Sequence, residues 1–238
     1  MFHIPPRVFA NAIRDFWRTR EAQAQKQKAE GSTDQGARGS VTGGKQMDGF
    51  VHVITQLMQS AGVNNSNIHT NTALELPGFY RPVKKWDIVV VSQDQLLAAI
   101  ELKSHVGPSF GNNFNNRIEE AIGSAVDIWT AFRDGAFQAS PAPFIGYLLL
   151  LEECNESQRP VKIPEPHFQA FNEFINTGYA KRYEIFCRKL IRERQYCSTC
   201  FLTSNRTKAN NLDENYEEPA GDLCASNFLI ELLKHVSR

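Results

Sequence analysis

Two acidic residues and one lysine stand where a pair of neighbouring strands would bring them together. Asp87 lies at the start of a β-rich segment, and Glu101 and Lys103 lie at the end of the next apolar run. If residues Gln93–Gln95 form the loop of a hairpin, Asp87 is directly opposite Glu101 and their side chains share a face. Glu101 and Lys103 also share a face, because they are two residues apart in a strand. The spacing therefore predicts that two carboxylates and one ammonium group meet.

This trio predicts a magnesium site for phosphodiester hydrolysis. Carboxylates are hard oxygen ligands, and Mg²⁺ keeps several waters and takes substrate phosphate oxygens as further ligands. The ion lowers the pKa of bound water and offsets charge in the transition state. We expect Asp87 and Glu101 to bind Mg²⁺, and Lys103 to orient or help deprotonate the attacking water. A purely structural Glu101–Lys103 ion pair is the alternative, because an acid followed by ExK also arises by chance.

Bulk composition sets wide limits on the kind of protein. The 238 residues include 42% hydrophobic side chains, which suits one domain spanning 1–238 and argues against disorder. The longest apolar run, Phe144–Leu151, is too short to cross a membrane, and the N-terminus lacks the apolar core of a signal peptide. We therefore expect a cytoplasmic protein without a membrane partner. The net charge of zero neither supports nor excludes nucleic acid binding, because local clusters matter more.

The elements that must position the trio follow from apolar periodicity. Strands are predicted at Trp86–Val91 and Leu96–Leu102, preceded by a helix at Lys45–Ala61 and followed by a helix at Asn116–Arg133. Phe144–Leu151 predicts a central strand buried on both faces. The remaining predictions are a polar helix from Arg7 to about Ala29, a flexible loop at Gly31–Gly44, an irregular approach at Leu76–Lys85, a short helix within Pro164–Asn176, a basic helix at Tyr179–Arg194, a strand at Tyr196–Ser204, an acidic loop at Asn210–Asp222 and a helix at Leu223–His235. Together they predict an α/β fold with a small mixed sheet flanked by helices, and a polar helix and flexible loop over residues 1 to about 44.

Candidate DNA contacts flank the trio. Arg81, Lys84 and Lys85 precede Asp87 directly. A long Gly- and Asn-rich loop follows Lys103, and its asparagines and arginine could read bases or phosphates or could simply tolerate left-handed backbone. The basic helix, with six basic and two acidic residues, could follow phosphates or be a solvated face. The candidate residues in these two segments are Asn112, Asn113, Asn115, Asn116 and Arg117 in the loop, and Lys181 and Arg182 in the helix.

The cysteines do not predict a metal site. There are five of them, and the single CxxC pair is Cys197 and Cys200. A structural zinc site needs four ligands, so ordinary thiols are favoured over metal binding.

The hairpin resembles the PD-(D/E)xK nuclease motif, with Trp86 in place of the usual proline before Asp87. The block ELKSHVGPSFGNNFNNRIEEAIGSAVDIWTAFRDGAF is similar to the XhoI family of type II restriction endonucleases, and the similarity extends from GGKQMDGF through YAKRYEIFCRKLIRERQY. The resemblance implies a restriction-endonuclease-like core and a homodimer in a prokaryotic cell that cuts double-stranded DNA at the palindrome CTCGAG with Mg²⁺.

The same resemblance implies roles for particular residues. Asp87, Glu101 and Lys103 match the catalytic positions, and the backbone carbonyl of Leu102 is a further metal ligand. Asp48, on the helix before the hairpin, matches the place of an additional acidic ligand in many such nucleases. Glu75 is the other candidate for this ligand. A solvated carboxylate is favoured over a metal ligand for Asp48, and more strongly for Glu75. The rival functions are a nuclease with a repair or structure-specific role and an inactive DNA-binding module, which the intact trio disfavours.

Overall fold

A five-stranded sheet forms the centre of the computed structural model, which describes residues 2–29 and 45–237. The strand order is β1-β4-β5-β6-β7, in which β1, β4 and β5 are antiparallel neighbours and β5, β6 and β7 are parallel. These strands are β1 (Ile68–His69), β4 (Ile88–Ser92), β5 (Gln95–His105), β6 (Phe144–Glu152) and β7 (Ser198–Ser204). A separate two-stranded ladder joins β2 (Glu75–Pro77) to β3 (Val83–Lys85). The predicted α/β fold with a mixed sheet is confirmed.

Helices cover both faces of this sheet. One face carries α1 (Ala10–Ala29), α2 (Asp48–Ser60) and α6 (Ala225–Val236). The other carries α3 (Phe110–Arg133) and α5 (Tyr179–Arg192), while the short α4 (Asn155–Gln158) follows β6. The first eight residues of β6 are buried, which confirms a central strand covered on both faces. None of the helices in the described ranges is long and apolar enough to span a membrane.

The predicted N-terminal helix is confirmed as part of the core. Phe9, directly before α1, and Ile13, Phe16 and Trp17 within it recur at helical spacing, and each is at most 1% exposed, so they form the buried side of this otherwise polar helix. The indole N–H of Trp17 also donates to the hydroxyl of Ser204, 2.8 Å away. The predicted flexible loop at residues 31–44 lies outside the described residues.

The β4–β5 hairpin has the predicted register for a reason that the sequence did not reveal. Its turn contains two residues, Gln93 and Asp94, both with positive φ, rather than the three-residue loop that we predicted. A two-residue turn alone would place Asp87 opposite Ile100. Leu97 is an extra residue between the pairs formed by its neighbours Leu96 and Ala98, and this bulge restores the pairing of Ile88 with Ile100. Continued by one residue, this register places Asp87 opposite Glu101.

Three local predictions were wrong. Helix α3 begins at Phe110 rather than Asn116, so the Gly/Asn segment is helical instead of a long loop. Pro164–Asn176 contains only a single 3₁₀ turn, Asn172–Phe174, instead of a helix. Prolines in this segment remove backbone donors, although its phenylalanines are spaced three residues apart as in a helix. The stretch expected to be irregular before Asp87 instead forms the β2–β3 ladder.

Candidate active site

Asp87 is held at the entrance of β4 by two backbone contacts. Its N–H donates to the carbonyl of Ile100 across 3.1 Å. Its carboxylate Oδ2 accepts a hydrogen bond from the N–H of Leu102, 2.7 Å away. Both partners flank Glu101 on β5, so the hairpin fixes the first carboxylate beside the second.

Glu101 carries a buried carboxylate between two ammonium groups. The side chain of Lys103 contacts Oε1, and the side chain of Lys84 contacts Oε2. Lys84 comes from β3, and its ammonium group also lies 4.3 Å from the centre of the Trp86 indole ring. The ion pair considered as a structural alternative therefore exists, but it belongs to a larger cluster of two carboxylates and two cations.

Burial and charge set the protonation of this cluster. Burial and the nearby Glu101 carboxylate raise the pKa of Asp87 to about 6. Burial alone would raise the pKa of Glu101, but the ammonium groups of Lys103 and Lys84 outweigh it and hold that pKa below its usual value. Burial alone would lower the pKa of Lys103, but the Glu101 carboxylate outweighs it and raises that pKa. At neutral pH the cluster thus contains two carboxylates, and Lys103 carries its proton.

The cluster opens into a groove between the β2–β3 ladder and α3. The groove has a volume of about 490 Å³. Cations line the side formed by the ladder, while α3 contributes two glutamates. The groove-lining residues are Arg81, Val83, Lys84, Lys85, Glu101, Lys103, Glu119, Glu120, Gly123 and Ser124. A phosphate placed here would meet the cations of the ladder side close to the Glu101 carboxylate.

The donor set of the cluster fits Mg²⁺. Asp87 and Glu101 offer carboxylate oxygens, and Leu102, which follows Glu101 on β5, offers its backbone carbonyl. All of these are hard oxygen ligands. Within the described ranges no set of three acidic, histidine or cysteine side chains comes together. Mg²⁺ tolerates such a sparse set, because it retains waters and binds substrate phosphates.

The additional acidic ligand predicted at Asp48 is not brought to this cluster. Asp48 begins α2, whose buried residues Phe50, Ile54 and Met58 pack on the face of the sheet opposite to α3. Glu75 is exposed and pairs with Lys85 in the β2–β3 ladder. The solvated-carboxylate interpretation fits both residues better than a metal-binding one.

The predicted DNA-contact residues separate into two groups. Asn112, Asn115 and Asn116 are exposed on the first turns of α3, Asn113 is half-buried there, and Lys85 is exposed beside the groove. Other candidates are already bonded: Arg117 to Glu120 at 2.5 Å, Lys181 to Glu184 at 2.7 Å, and Arg182 to the carbonyl of Val161 at 2.7 Å. Basic side chains of α5 are thus already engaged in ion pairs and hydrogen bonds within the protein.

Sequence reasoning missed two contacts that organise the site. Lys84 was assigned to DNA, whereas its ammonium group pairs with Glu101. Asp127, in the interior of α3, accepts hydrogen bonds from the turn between β2 and β3. In the sequence Asp127 is at helical spacing from Ser124 and Ala131, on the side of α3 that is buried, and an acidic residue at such a position is the signal that could have identified it.

Cys197 and Cys200 lie in different environments. Cys197 is exposed before β7 and Cys200 is buried inside it, and both are free thiols.

Comparisons with known proteins agree on one family. The family model of restriction endonuclease XhoI matches residues 26–216. The type II restriction enzyme BstVI of Geobacillus stearothermophilus is 55% identical over 209 residues, covering 86% of this chain and 92% of the relative. The type II restriction enzyme XhoI of Xanthomonas vasicola is 45% identical, covering 75% and 72%. The type II restriction enzyme AbrI of Azospirillum brasilense is 48% identical, covering 66% and 71%. No solved structure matches the chain.

Proposed function

This chain belongs to the XhoI family of restriction endonucleases, and we propose that it makes Mg²⁺-dependent double-strand cuts in DNA at the palindrome CTCGAG. Family membership makes the chain a type II restriction endonuclease. The metal, the site and the residues involved are our proposal. The observation that carries it is the meeting of Asp87 and Glu101 with Lys103 beside a groove that is lined by Glu101, Lys103 and the cations of the β2–β3 ladder.

Asp87, Glu101 and the carbonyl of Leu102 would hold the ion. When bound, Mg²⁺ supplies Lewis acidity that activates a water and offsets the charge of the phosphorane-like transition state. The pKa of Asp87, about 6, leaves both carboxylates ionised near neutral pH and ready to bind a cation. Two buried carboxylates repel each other without one, so the cation also relieves that repulsion.

Lys103 would position the attacking water and stabilise the developing negative charge. Its raised pKa keeps the ammonium group protonated at neutral pH, so it is a hydrogen-bond donor rather than a general base. Glu101 holds this ammonium group in place through its Oε1. The proton of the water would therefore leave to solvent or to a phosphate oxygen instead of to Lys103.

DNA would lie across the groove, with a homodimer presenting two such sites. Lys85 offers an exposed positive charge to the phosphates, while Arg81 and Lys84 lie on the same side of the groove in ion pairs with Asp127 and Glu101. A palindrome has two-fold symmetry, and cutting both strands calls for two active sites related by the same symmetry. We further propose that the enzyme acts in the cytoplasm of a prokaryotic cell.

A plasmid assay tests this function. Supercoiled DNA with one CTCGAG site is incubated with Mg²⁺ or with EDTA, beside a matched plasmid in which one base of the site is changed. We expect a linear product only from the first plasmid and only with Mg²⁺. Nicking or cutting at other structures would support a repair or structure-specific nuclease instead. Binding without cutting under any divalent metal would leave an inactive DNA-binding module.

A further inference from the structure

The turn between β2 and β3 exposes large apolar side chains next to the candidate active site. Phe79 is 49% exposed, Tyr80 is 70% exposed, and Val83 at the start of β3 is 55% exposed. The two aromatic rings meet edge to face, with centroids 5.0 Å apart. Grouped exposed apolar side chains of this kind mark a surface that is covered by a partner.

This turn is held rigidly by one buried carboxylate. Asp127 on α3 accepts hydrogen bonds from the N–H groups of Phe79 and Tyr80, each 2.8 Å away, and from Nε of Arg81, 2.6 Å away. Gly78 is required at the approach, because a Cβ there would lie 2.5 Å from the Asp127 carboxylate. The aromatic pair is thus presented in a fixed orientation, which limits the entropy lost on binding.

The same ladder leads directly into the catalytic cluster. Lys84, four residues after Tyr80, contacts Glu101, and Arg81 and Lys85 line the same groove. The exposed rings are therefore continuous with the ladder side of the groove, which carries the exposed cation Lys85, at the place where a phosphodiester would be cut. Cations beside exposed aromatic rings are the combination that contacts nucleic acid, with charge for phosphates and apolar surface for sugars and bases.

A second exposed apolar group serves as a contrast. Phe168 and Phe171 are 88% and 75% exposed on the segment before α5, on a different part of the chain. The neighbouring cation there, Lys189, pairs with Glu173 and lies outside the groove of the candidate site. Of these two groups, the pair at the β2–β3 turn is the one that continues into the groove of the candidate site.

We propose that Tyr80, supported by Phe79, packs against the sugars and base edges of the DNA beside the bond that is cut. The proposal rests on the proposed function, since it assumes that DNA occupies the groove. Asp127 positions this contact through the backbone of the turn. The aromatic pair contributes affinity that does not depend on salt, in addition to the salt-dependent contribution of the cations.

Fluorescence anisotropy on a labelled duplex containing CTCGAG tests the proposal. All proteins carry Glu101→Gln, so that no DNA is cut, and dissociation constants are measured over a range of salt concentrations. We expect Tyr80→Ala and Phe79→Ala to weaken binding by roughly tenfold or more, without changing the salt slope. Lys85→Ala should instead lower the slope by about one. Phe168→Ala is the matched control for an exposed aromatic ring and should bind like the background protein.

Three outcomes would overturn the proposal. If the wild-type protein cuts at CTCGAG but Tyr80→Ala and Phe79→Ala bind like Phe168→Ala, the aromatic contact alone is refuted. If sedimentation shows that these variants have lost a dimer while each protomer retains its DNA affinity, the surface binds a second copy of the chain. If the wild-type protein neither binds nor cuts DNA, the proposed function fails together with this inference.

Discussion

The backbone N–H of Leu102 donates to the Asp87 carboxylate across 2.7 Å, and this bond holds Asp87 against β5, the strand that carries Glu101. A side chain that bonds to the backbone of the neighbouring strand cannot rotate freely. The contact therefore fixes Asp87 beside Glu101 before any cation binds. Such preorganisation costs stability when two carboxylates approach each other, and it favours a site that is completed by a metal.

Asp87→Asn should make the metal-free protein more stable at about pH 8. The folded-state pKa of Asp87, about 6, is higher than its ordinary value of 3.8, so the ionised carboxylate destabilises the folded state, with the full effect above pH 6. Wild-type stability should rise as the pH falls through about 6 towards 3.8, and the gap between the two proteins should close. Urea unfolding in EDTA at several pH values measures this gap.

The same pair of proteins reports on the metal. Mg²⁺ should raise the unfolding temperature of the wild-type protein but not that of Asp87→Asn, because a ligand that binds only the folded state stabilises it. Asp213→Asn, at an exposed loop position, should respond to Mg²⁺ like the wild type. Equal stabilisation of Asp87→Asn would show that the ion binds elsewhere.

Lys84→Gln should tighten divalent metal binding. The ammonium group of Lys84 contacts Glu101 and competes with any cation for that carboxylate. Removing one unit charge about 6 Å from a divalent ion in a water-like dielectric is worth about 1.4 kcal/mol, or roughly tenfold in affinity. Calorimetric titration with Mn²⁺ measures the change. Lys234→Gln, on α6 at the opposite face, is the control; unchanged or weaker binding in Lys84→Gln would contradict the competition.

Asp127→Asn should lower the free energy of unfolding by about 1–3 kcal/mol, because it weakens three hydrogen bonds to the β2–β3 turn. Burial alone would raise the pKa of Asp127, but the hydrogen bonds from Arg81, Tyr80 and Phe79 outweigh it and lower that pKa. The stabilisation is thus complete above 3.8 and is lost as the pH falls through the lower folded-state value.

Urea unfolding at about pH 7 and about pH 3 checks the Asp127 prediction. Asp134→Asn, at the exposed end of α3, should change stability little at either pH. A gap between wild type and Asp127→Asn that stays constant into acid would argue against an ionised carboxylate as the anchor.

Sequence spacing predicted the central relationship of the site correctly, because strand alternation is strict. It placed Asp87 opposite Glu101 and put Lys103 on the same face, and the α/β class and the buried strand β6 followed from apolar patterning. The register nevertheless depended on the bulge at Leu97, which no local pattern indicates. The two-residue turn shifted the strand register by one residue from the predicted one, and the bulge shifted it back.

Other features depend on contacts between segments that are distant in sequence. Lys84 reaches Glu101 from a separate ladder, and Asp127 reaches the β2–β3 turn from α3. The asparagines after Pro108 are poor helix formers, and they concealed a helix whose apolar positions Phe110, Phe114 and Ile118 recur at four-residue spacing. Tertiary packing outweighed local propensity there.

Cleavage by Glu101→Gln shows whether the Asp87–Glu101 cluster is the active site. A duplex containing CTCGAG is mixed with excess protein and Mg²⁺, and the single-turnover rate of cutting is compared between the wild type and the variant. Loss of the buried carboxylate should slow cutting by at least about a thousandfold while DNA binding remains measurable. Glu75→Gln, at an exposed carboxylate on β2, should cut at the wild-type rate. Full activity in Glu101→Gln would show that the active site lies elsewhere, and undiminished wild-type cutting in EDTA would show that cutting needs no divalent metal.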